Sequence, residues 1–320
     1  MRTILVTGAL GQIGSELVMK LRDLYGADHV VGTDIRSDTD GPVVQGGPYE
    51  TLDVTDGGRF LEIARKYQVD AVIHLAAVLS ARAEVNPQRA WHLNMTGLMN
   101  GLETARELRC QFFTPSSIAA FGPSTPKEIT PQDTIQRPNT IYGVTKVSGE
   151  LLCDYYHHRF GVDTRGVRFP GLISYVTPPG GGTTDYAVEI YYHAVKQRRY
   201  TSYIAAGTKM DMMYMPDALD AIVQLMEADA AKLVHRNAFN ITAMSFAPED
   251  VAAAISAKIP EFVMTYDVDP VRQAIAESWP NSIDASCAVD EWGFRPSYDL
   301  EKMTQDMLEK LQQREHVSAL

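Results

Sequence analysis

Apolar residues recur along the first half of the chain in two alternating rhythms. Short β-branched runs at residues 3–7, 30–34, 71–75 and 111–116 are bounded by turn formers and read as strands. Between them, residues 12–25, 60–67 and 87–108 carry apolar positions at helical spacing. Residues 142–160 continue as a helix and 163–169 as the next strand. Such alternation predicts an α/β fold: a doubly wound parallel sheet built of βαβ units, with helices on both faces. After Pro170 the rhythm changes. The stretch PPGGGTTD, residues 178–185, is rich in turn formers and leads into the helical pattern YAVEIYYHAVK. Shorter strands and helices follow, and a charged amphipathic helix begins at Leu300. The pattern predicts a nucleotide-binding domain over 1–170 and a smaller α/β substrate lobe over 171–320. Some elements near 205–242 are expected to return to the first domain.

Composition narrows the class without changing this picture. The chain has 320 residues and a formal net charge of −11. Phosphate backbones call for clustered Lys and Arg, so a general nucleic-acid binder is excluded. No apolar run is as long as a membrane span, and a strand pattern begins at the third residue, so no membrane partner and a cytoplasmic location are expected. Cys110, Cys153 and Cys287 are isolated and odd in number, which predicts neither a disulfide framework nor a metal site.

The first strand runs into T-G-x-x-G-x-x-G, with Gly8, Gly11 and Gly14 at the start of a helix. One glycine makes the tight turn, one lets backbone approach a pyrophosphate, and one permits close helix–sheet packing. The helix N-terminus supplies N–H groups to the phosphates. Together these predict a Rossmann-type dinucleotide site. Asp34 closes the second strand about 20 residues on, where a carboxylate accepts from a ribose 2′-OH and repels a 2′-phosphate. NAD is therefore the expected cofactor. Arg36 either softens that preference or is a solvated loop residue. Asp53, in LDVTD, either reaches the adenine amine or caps a turn. His74 is expected to pack, while Leu75, Ala76 and Ala77 line the dinucleotide.

Downstream, Ser116 and Ser117 end a strand, and Tyr142 and Lys146 stand four residues apart on one helix face. A phenol with an ordinary pKa near 10 is a poor base at neutral pH, and a neighbouring ammonium favours its ionised form. Tyr142 is thus the expected base for a carbinol proton, with Lys146 assisting it and holding the nicotinamide ribose. Ser117 is expected to hydrogen-bond the substrate oxygen, and Ser116 takes that part if the register is one residue off.

The set TGALGQIG, Asp34, HLAA, PSSIAAFG and YGVTK resembles the extended short-chain dehydrogenase/reductase family, which includes nucleotide-sugar epimerases and dehydratases. The resemblance adds Gln12, Ile13, Ile35, Val54, Asn94 and Pro170 to the expected cofactor contacts. Longer runs, AAVLSA, PGLISYVTPPGGGTTDYAVEIYYHA, KMDMMYMPDAL and AIAESWP, resemble the family of short-chain-type L-threonine 3-dehydrogenases. That resemblance implies oxidation of L-threonine to L-2-amino-3-ketobutyrate, in threonine catabolism toward glycine, without a metal. It implies that Ser80, Gly182, Thr183, Thr184 and Asp185 meet the amino acid. Trp279 either closes over the site or is ordinary core. It also implies a homodimer through helices 87–108 and 142–160. Two alternatives stand beside it. A nucleotide-sugar epimerase or dehydratase needs an Arg before Asp211, where Met210 stands, although Arg272 remains available. A non-catalytic NAD sensor has no need of the Ser–Tyr–Lys set.

Overall fold

The structure is a computed structural model that describes residues 3–37, 40–178 and 182–318. The first half supplies strands β1 (Ile4–Thr7), β2 (Val30–Asp34), β3 (Tyr49–Thr51), β4 (Ala71–His74), β5 (Gln111–Phe113), β6 (Ser116–Ser117), β7 (Thr164–Arg165), β8 (Val167–Phe169) and β9 (Gly171–Ile173). Six of these form one parallel sheet in the order β3-β2-β1-β4-β5-β7. Its helices are α1 (Gln12–Tyr25), α2 (Pro42–Gln45), α3 (Gly57–Lys66), α4 (Ser80–Val85), α5 (Pro87–Leu108) and α6 (Ile141–Phe160). Successive strand residues point to opposite faces, so Leu5, Val72 and Phe112 pack with Phe60, Leu102 and Cys153 of α3, α5 and α6. Val6, Ile73 and Phe113 pack on the other face, with Leu17 and Leu21 of α1. The expected doubly wound sheet is therefore present. β3, α2 and α4 carry no sequence signal because three to six residues do not complete a recognisable period.

Two predicted strands are each broken in two. The run 111–116 is interrupted at Pro115, which has no N–H for the ladder. The run 163–169 is interrupted opposite, at Gly166, where a Cβ would lie 2.5 Å from the Thr114 carbonyl oxygen. Beyond this step, β6 and β8 join a separate parallel sheet with β12 (Phe239–Asn240).

The second half contains α7 (Tyr186–Gln197), β10 (Arg199–Ser202), β11 (Met210–Tyr214) and α8 (Met215–Glu227) before β12. After it come β13 (Met244–Phe246), α9 (Pro248–Ser256), β14 (Val263–Tyr266), α10 (Pro270–Ser278), α11 (Ser286–Trp292) and α12 (Leu300–Ser318). β11 lies between β9 and β13, and β10 pairs with β14. A separate core of Tyr186, Tyr191, Tyr214, Met303 and Met307 fills this part, while Ile222 and Leu225 of α8 join the core of the large sheet. Among the described residues, no helix is long and apolar enough to cross a membrane.

One buried ion pair ties α6 to β8. Arg168 reaches Glu150 with Nε at 3.0 Å and a terminal nitrogen at 2.8 Å. Both side chains are almost fully buried. Its remaining nitrogen donates to the Gln132 carbonyl and to Asn240 Oδ1, so the guanidinium is well satisfied. Removing one partner of such a pair strands a charge in low dielectric. Arg168→Met is expected to lower stability by about 3–5 kcal/mol in a denaturant melt; an unchanged midpoint would show that the pair contributes little.

Candidate active site

The glycine turn folds as its sequence spacing requires. Gly8 has φ of +67°, and a Cβ there would lie 2.8 Å from the Ala76 nitrogen. At Gly14 a Cβ would sit 2.1 Å from the Gly8 carbonyl oxygen, so α1 could not pack against the turn. Gly11 precedes α1 without any side-chain cap, leaving the first helical N–H groups facing the cleft for an anion. Gln12 lines the same cleft, and its Nε2 is buried with no partner among the described residues. Ile13, Leu75, Ala77 and Pro170 complete this wall. These features fit a dinucleotide.

Asp34 ends β2 beside the turn, where Oδ2 accepts the Leu10 N–H at 3.1 Å. Arg36 pairs with it, its Nε 3.2 Å from Oδ1. Arg36 is thus drawn to the carboxylate and is neither free nor merely solvated. Asp53 Oδ1 accepts both the N–H and the hydroxyl of Thr55, at 2.9 and 2.7 Å, and these bonds hold its carboxyl below the usual range. It therefore closes a turn. Asp34, Ile35, Asp53, Val54 and Ala76 lie outside the walls of the central cleft. Ile35 is exposed, whereas Val54 is buried and would touch a Cβ on Gly97.

Asn94 is engaged by its neighbours. Its Oδ1 accepts the Val78 N–H at 2.8 Å, and Nδ2 donates to the Val78 carbonyl and to Thr145 Oγ1. Both N–H donors are engaged, so the amide fixes the strand-end loop to α6 and presents no free donor. His74 packs as expected: Nδ1 meets Thr7 Oγ1 at 2.9 Å, its ring stacks on Phe112, and burial pushes its pKa down to about 3.

The opposite edge of the cleft brings together Ser117, Tyr142 and Lys146. The Thr140 hydroxyl accepts the Gly143 N–H and starts α6. A Cβ on Gly143 would lie 2.2 Å from the Ala119 carbonyl oxygen, so the helix start sits directly on the turn that follows Ser117. The Ser117 hydroxyl accepts the Ala119 N–H at 3.2 Å and lies near enough to the Tyr142 phenol to favour its ionised form. Ser116 instead donates to the buried Glu150 carboxylate, which leaves Ser117 as the serine beside the tyrosine. Lys146 Nζ donates to the Pro115 carbonyl at 2.7 Å and lies 5.3 Å from the centre of the Tyr142 ring.

The electrostatics differ from the expected phenol–ammonium balance. Burial pushes the Tyr142 phenol up to about 12, and the Ser117 hydroxyl only partly offsets it. Burial also pushes the Lys146 amine down to about 8, opposed by the Glu150 carboxylate. The ammonium is held by Pro115, so the desolvation of the phenol prevails. Glu150 itself was not singled out from the sequence. Its signal was the spacing, since Tyr142, Lys146 and Glu150 follow at i, i+4 and i+8.

The remaining wall comes from the second half of the chain. Ser80, Gly182, Thr183, Thr184, Asp185 and Trp279 all line the cleft. Thr183 Oγ1 is buried with no partner among the described residues. Gly182 donates its N–H to Asp185 Oδ2 at 2.7 Å, because the carboxylate folds back over the short turn it ends. That N–H is not available to an anion. Residues 179–181 of the turn-rich stretch 178–185 lie outside the described residues. Trp279 is both cleft wall and member of the second core.

The groups a sugar diphosphate would need are engaged elsewhere. Arg272 lies 4.2 Å from the centre of the Tyr203 ring and beside Asp269, outside the cleft walls. Asp211 accepts the Ile283 N–H at 2.7 Å and the Thr242 hydroxyl, and burial pushes it up to about 7. It anchors the segment that follows Trp279.

Comparison with known proteins agrees with this geometry. Residues 4–242 match the pattern of the NAD dependent epimerase/dehydratase family. An uncharacterized epimerase/dehydratase of Staphylococcus aureus is 62% identical over 317 residues, 99% of each chain. The solved L-threonine dehydrogenase of Clostridium difficile is 70% identical with a TM-score of 0.97, over 98% of each chain. A monomeric L-threonine 3-dehydrogenase from a metagenome is 43% identical with a TM-score of 0.93, over 98% of this chain and 99% of that one.

Asp34→Asn tests the expected ribose contact. It removes the charge that repels a 2′-phosphate and weakens the acceptor for the ribose hydroxyl. Affinity for NAD is expected to fall about tenfold in a fluorescence titration, with the preference over NADP reduced. An unchanged NAD/NADP ratio would remove the carboxylate from cofactor choice.

Proposed function

The chain belongs to the NAD dependent epimerase/dehydratase family, and on that premise we propose that it is an L-threonine 3-dehydrogenase. The observation that carries this reading is the composition of the cleft. A glycine turn forms one wall, Ser80, residues 182–185 and Trp279 form the other, and Ser117 and Tyr142 stand between them. The 70% identity to an L-threonine dehydrogenase supports the choice of substrate. Met210 in the place of an arginine, and the engagement of Arg272 outside the cleft, weigh against a nucleotide sugar.

Bound NAD supplies the hydride acceptor and a positive charge near the phenol. The residues do the rest. Ser117 hydrogen-bonds the 3-hydroxyl of threonine and holds it against Tyr142. Tyr142, in its ionised form, takes the hydroxyl proton as C3 becomes a carbonyl carbon, which yields L-2-amino-3-ketobutyrate. Lys146 steadies the phenolate by charge. Ser80 and the hydroxyls of Thr183 and Thr184 position the amino acid, and Trp279 shields the site from water.

The Tyr142–Lys146 pair must lose one proton to act, and the first proton leaves near the lysine value of about 8. Either tautomer of the singly deprotonated pair has the same pH dependence. NADH formation from L-threonine, followed by absorbance, is therefore expected to give a kcat/KM that rises through about pH 8. Tyr142→Phe is expected to lower it by about 10²–10⁴-fold while NAD still binds. Absence of NADH with threonine despite NAD binding would overturn the assignment; a flat pH profile would remove the pair from the proton step.

We also infer a homodimer through α5 and α6. Trp91 and Met99 on one helix, and Val144, Leu151 and Tyr155 on the other, are exposed apolar side chains. Sedimentation is expected to give twice the chain mass of 35.4 kDa, and a single-chain mass at micromolar concentration would overturn the inference.

A further inference from the structure

Cys287 is isolated in sequence, but folding brings it to a histidine, His235, whose ring is flanked by two carboxylates, Glu291 and Asp133. Cys287 and Glu291 stand four residues apart on α11, so both face the same side of the helix. His235 comes from the loop before β12 and Asp133 from the loop after β6. One ligand atom from each of His235, Cys287 and Glu291 falls within 4.8 Å of the others.

The arrangement orients the imidazole. Glu291 Oε2 accepts the N–H groups of Val234 and His235, at 2.6 and 3.1 Å. Its Oε1 meets His235 Nδ1 in a short hydrogen bond. A carboxylate at Nδ1 fixes the tautomer and raises the basicity of Nε2, as behind many metal-bound histidines. Nε2 then points between Cys287 Sγ, at 4.0 Å, and Asp133 Oδ2, at 3.5 Å. In tetrahedral zinc sites with Zn–N near 2.0 Å and Zn–S near 2.3 Å, neighbouring donor atoms stand roughly 3.5 Å apart. The imidazole and the thiol need to close by about 0.5 Å, and the exposed Asp133 side chain completes the set by rotating toward the thiol. The backbone on the far side of His235 is constrained, with Arg236 at φ +43° and Ala238 at φ +58°, both in the left-handed region. The imidazole is one-quarter exposed, so an ion can enter from solvent.

We propose that His235 Nε2, Cys287 Sγ and the Asp133 carboxylate form a binding site for a zinc-like divalent ion, with Glu291 as the orienting partner of the histidine. The thiol, imidazole and carboxylate set selects a borderline-soft metal over magnesium or calcium. Binding displaces the thiol proton to solvent and places a cation beside the Glu291 and Asp133 carboxylates. None of these residues lines the catalytic cleft. The ion acts as a structural staple. It ties α11 to the loop at 133, and that loop already meets the segment behind Trp279 through the Thr130 N–H to Ser282 carbonyl bond of 2.9 Å.

The test is titration of the full chain, stripped of metal with a chelator, with Co²⁺ and then Zn²⁺. One equivalent of Co²⁺ is expected to produce a thiolate-to-cobalt charge-transfer band that Zn²⁺ abolishes and that raises Tm. Cys287→Ser is expected to remove the band, and Glu291→Gln to weaken binding by about 10–100-fold. Cys287→Ser lies outside the catalytic machinery, so retained NADH formation would report that the variant is folded. No band in the wild type, or an unchanged band in Cys287→Ser, would overturn the proposal.

Discussion

The register of α6 against the strand end at Ser116–Ser117 is the constraint on which the site depends. Three contacts set it along one helix face. Gly143 lies against the Ala119 carbonyl, Lys146 donates to the Pro115 carbonyl, and Glu150 takes Ser116 and Arg168. Each contact falls one helical turn beyond the last. A side chain on Gly143 would lift the helix start, and with it Tyr142, away from Ser117. The break at Pro115 and Gly166 belongs to the same device. It releases the Pro115 carbonyl from the main sheet, so that the carbonyl can accept from the lysine.

Burial then sets the electrostatics of that face. It disfavours charge on the phenol and on the amine alike, which raises one pKa and lowers the other. The two values, nearly equal in water, are driven apart, so a neutral phenol is favoured in the empty site and a further positive charge is needed to draw the proton from it. Glu150 partly opposes the fall of the amine's pKa, and Arg168 holds the Glu150 carboxylate in place by two charge-assisted bonds. The alternation tyrosine, lysine, glutamate, arginine is therefore one network. Its outer members are structural, yet they set the charge on its inner ones.

Much of this was legible because it rests on local rules. The glycine spacing at 8, 11 and 14 predicts a turn whose close contacts the structure displays. The helices 12–25 and 87–108 follow from unbroken 3.6-residue periods with clear starts, and their bounds are met in the structure. Less legible were elements too short to hold a period, such as the edge strand Tyr49–Thr51, and the step at Pro115 that needs a partner strand to define it. Side-chain assignments divided the same way. Asp34, Tyr142 and Lys146 are placed by strand end and helix face. Asn94 and Gly182 each have a hydrogen-bonding group satisfied by a neighbour that only the folded chain provides.

By itself the sequence determined the class of fold, the dinucleotide turn, and the pairing of tyrosine and lysine on one helix face. These depend on backbone dihedrals and on periodicity, which are properties of neighbouring residues. Only the tertiary structure decided that Ser117 rather than Ser116 meets the phenol, and that burial outweighs the lysine at Tyr142. It also decided that Cys287 has His235 for company. Each of these turns on distances and desolvation between segments remote in the chain, and local sequence carries no record of either.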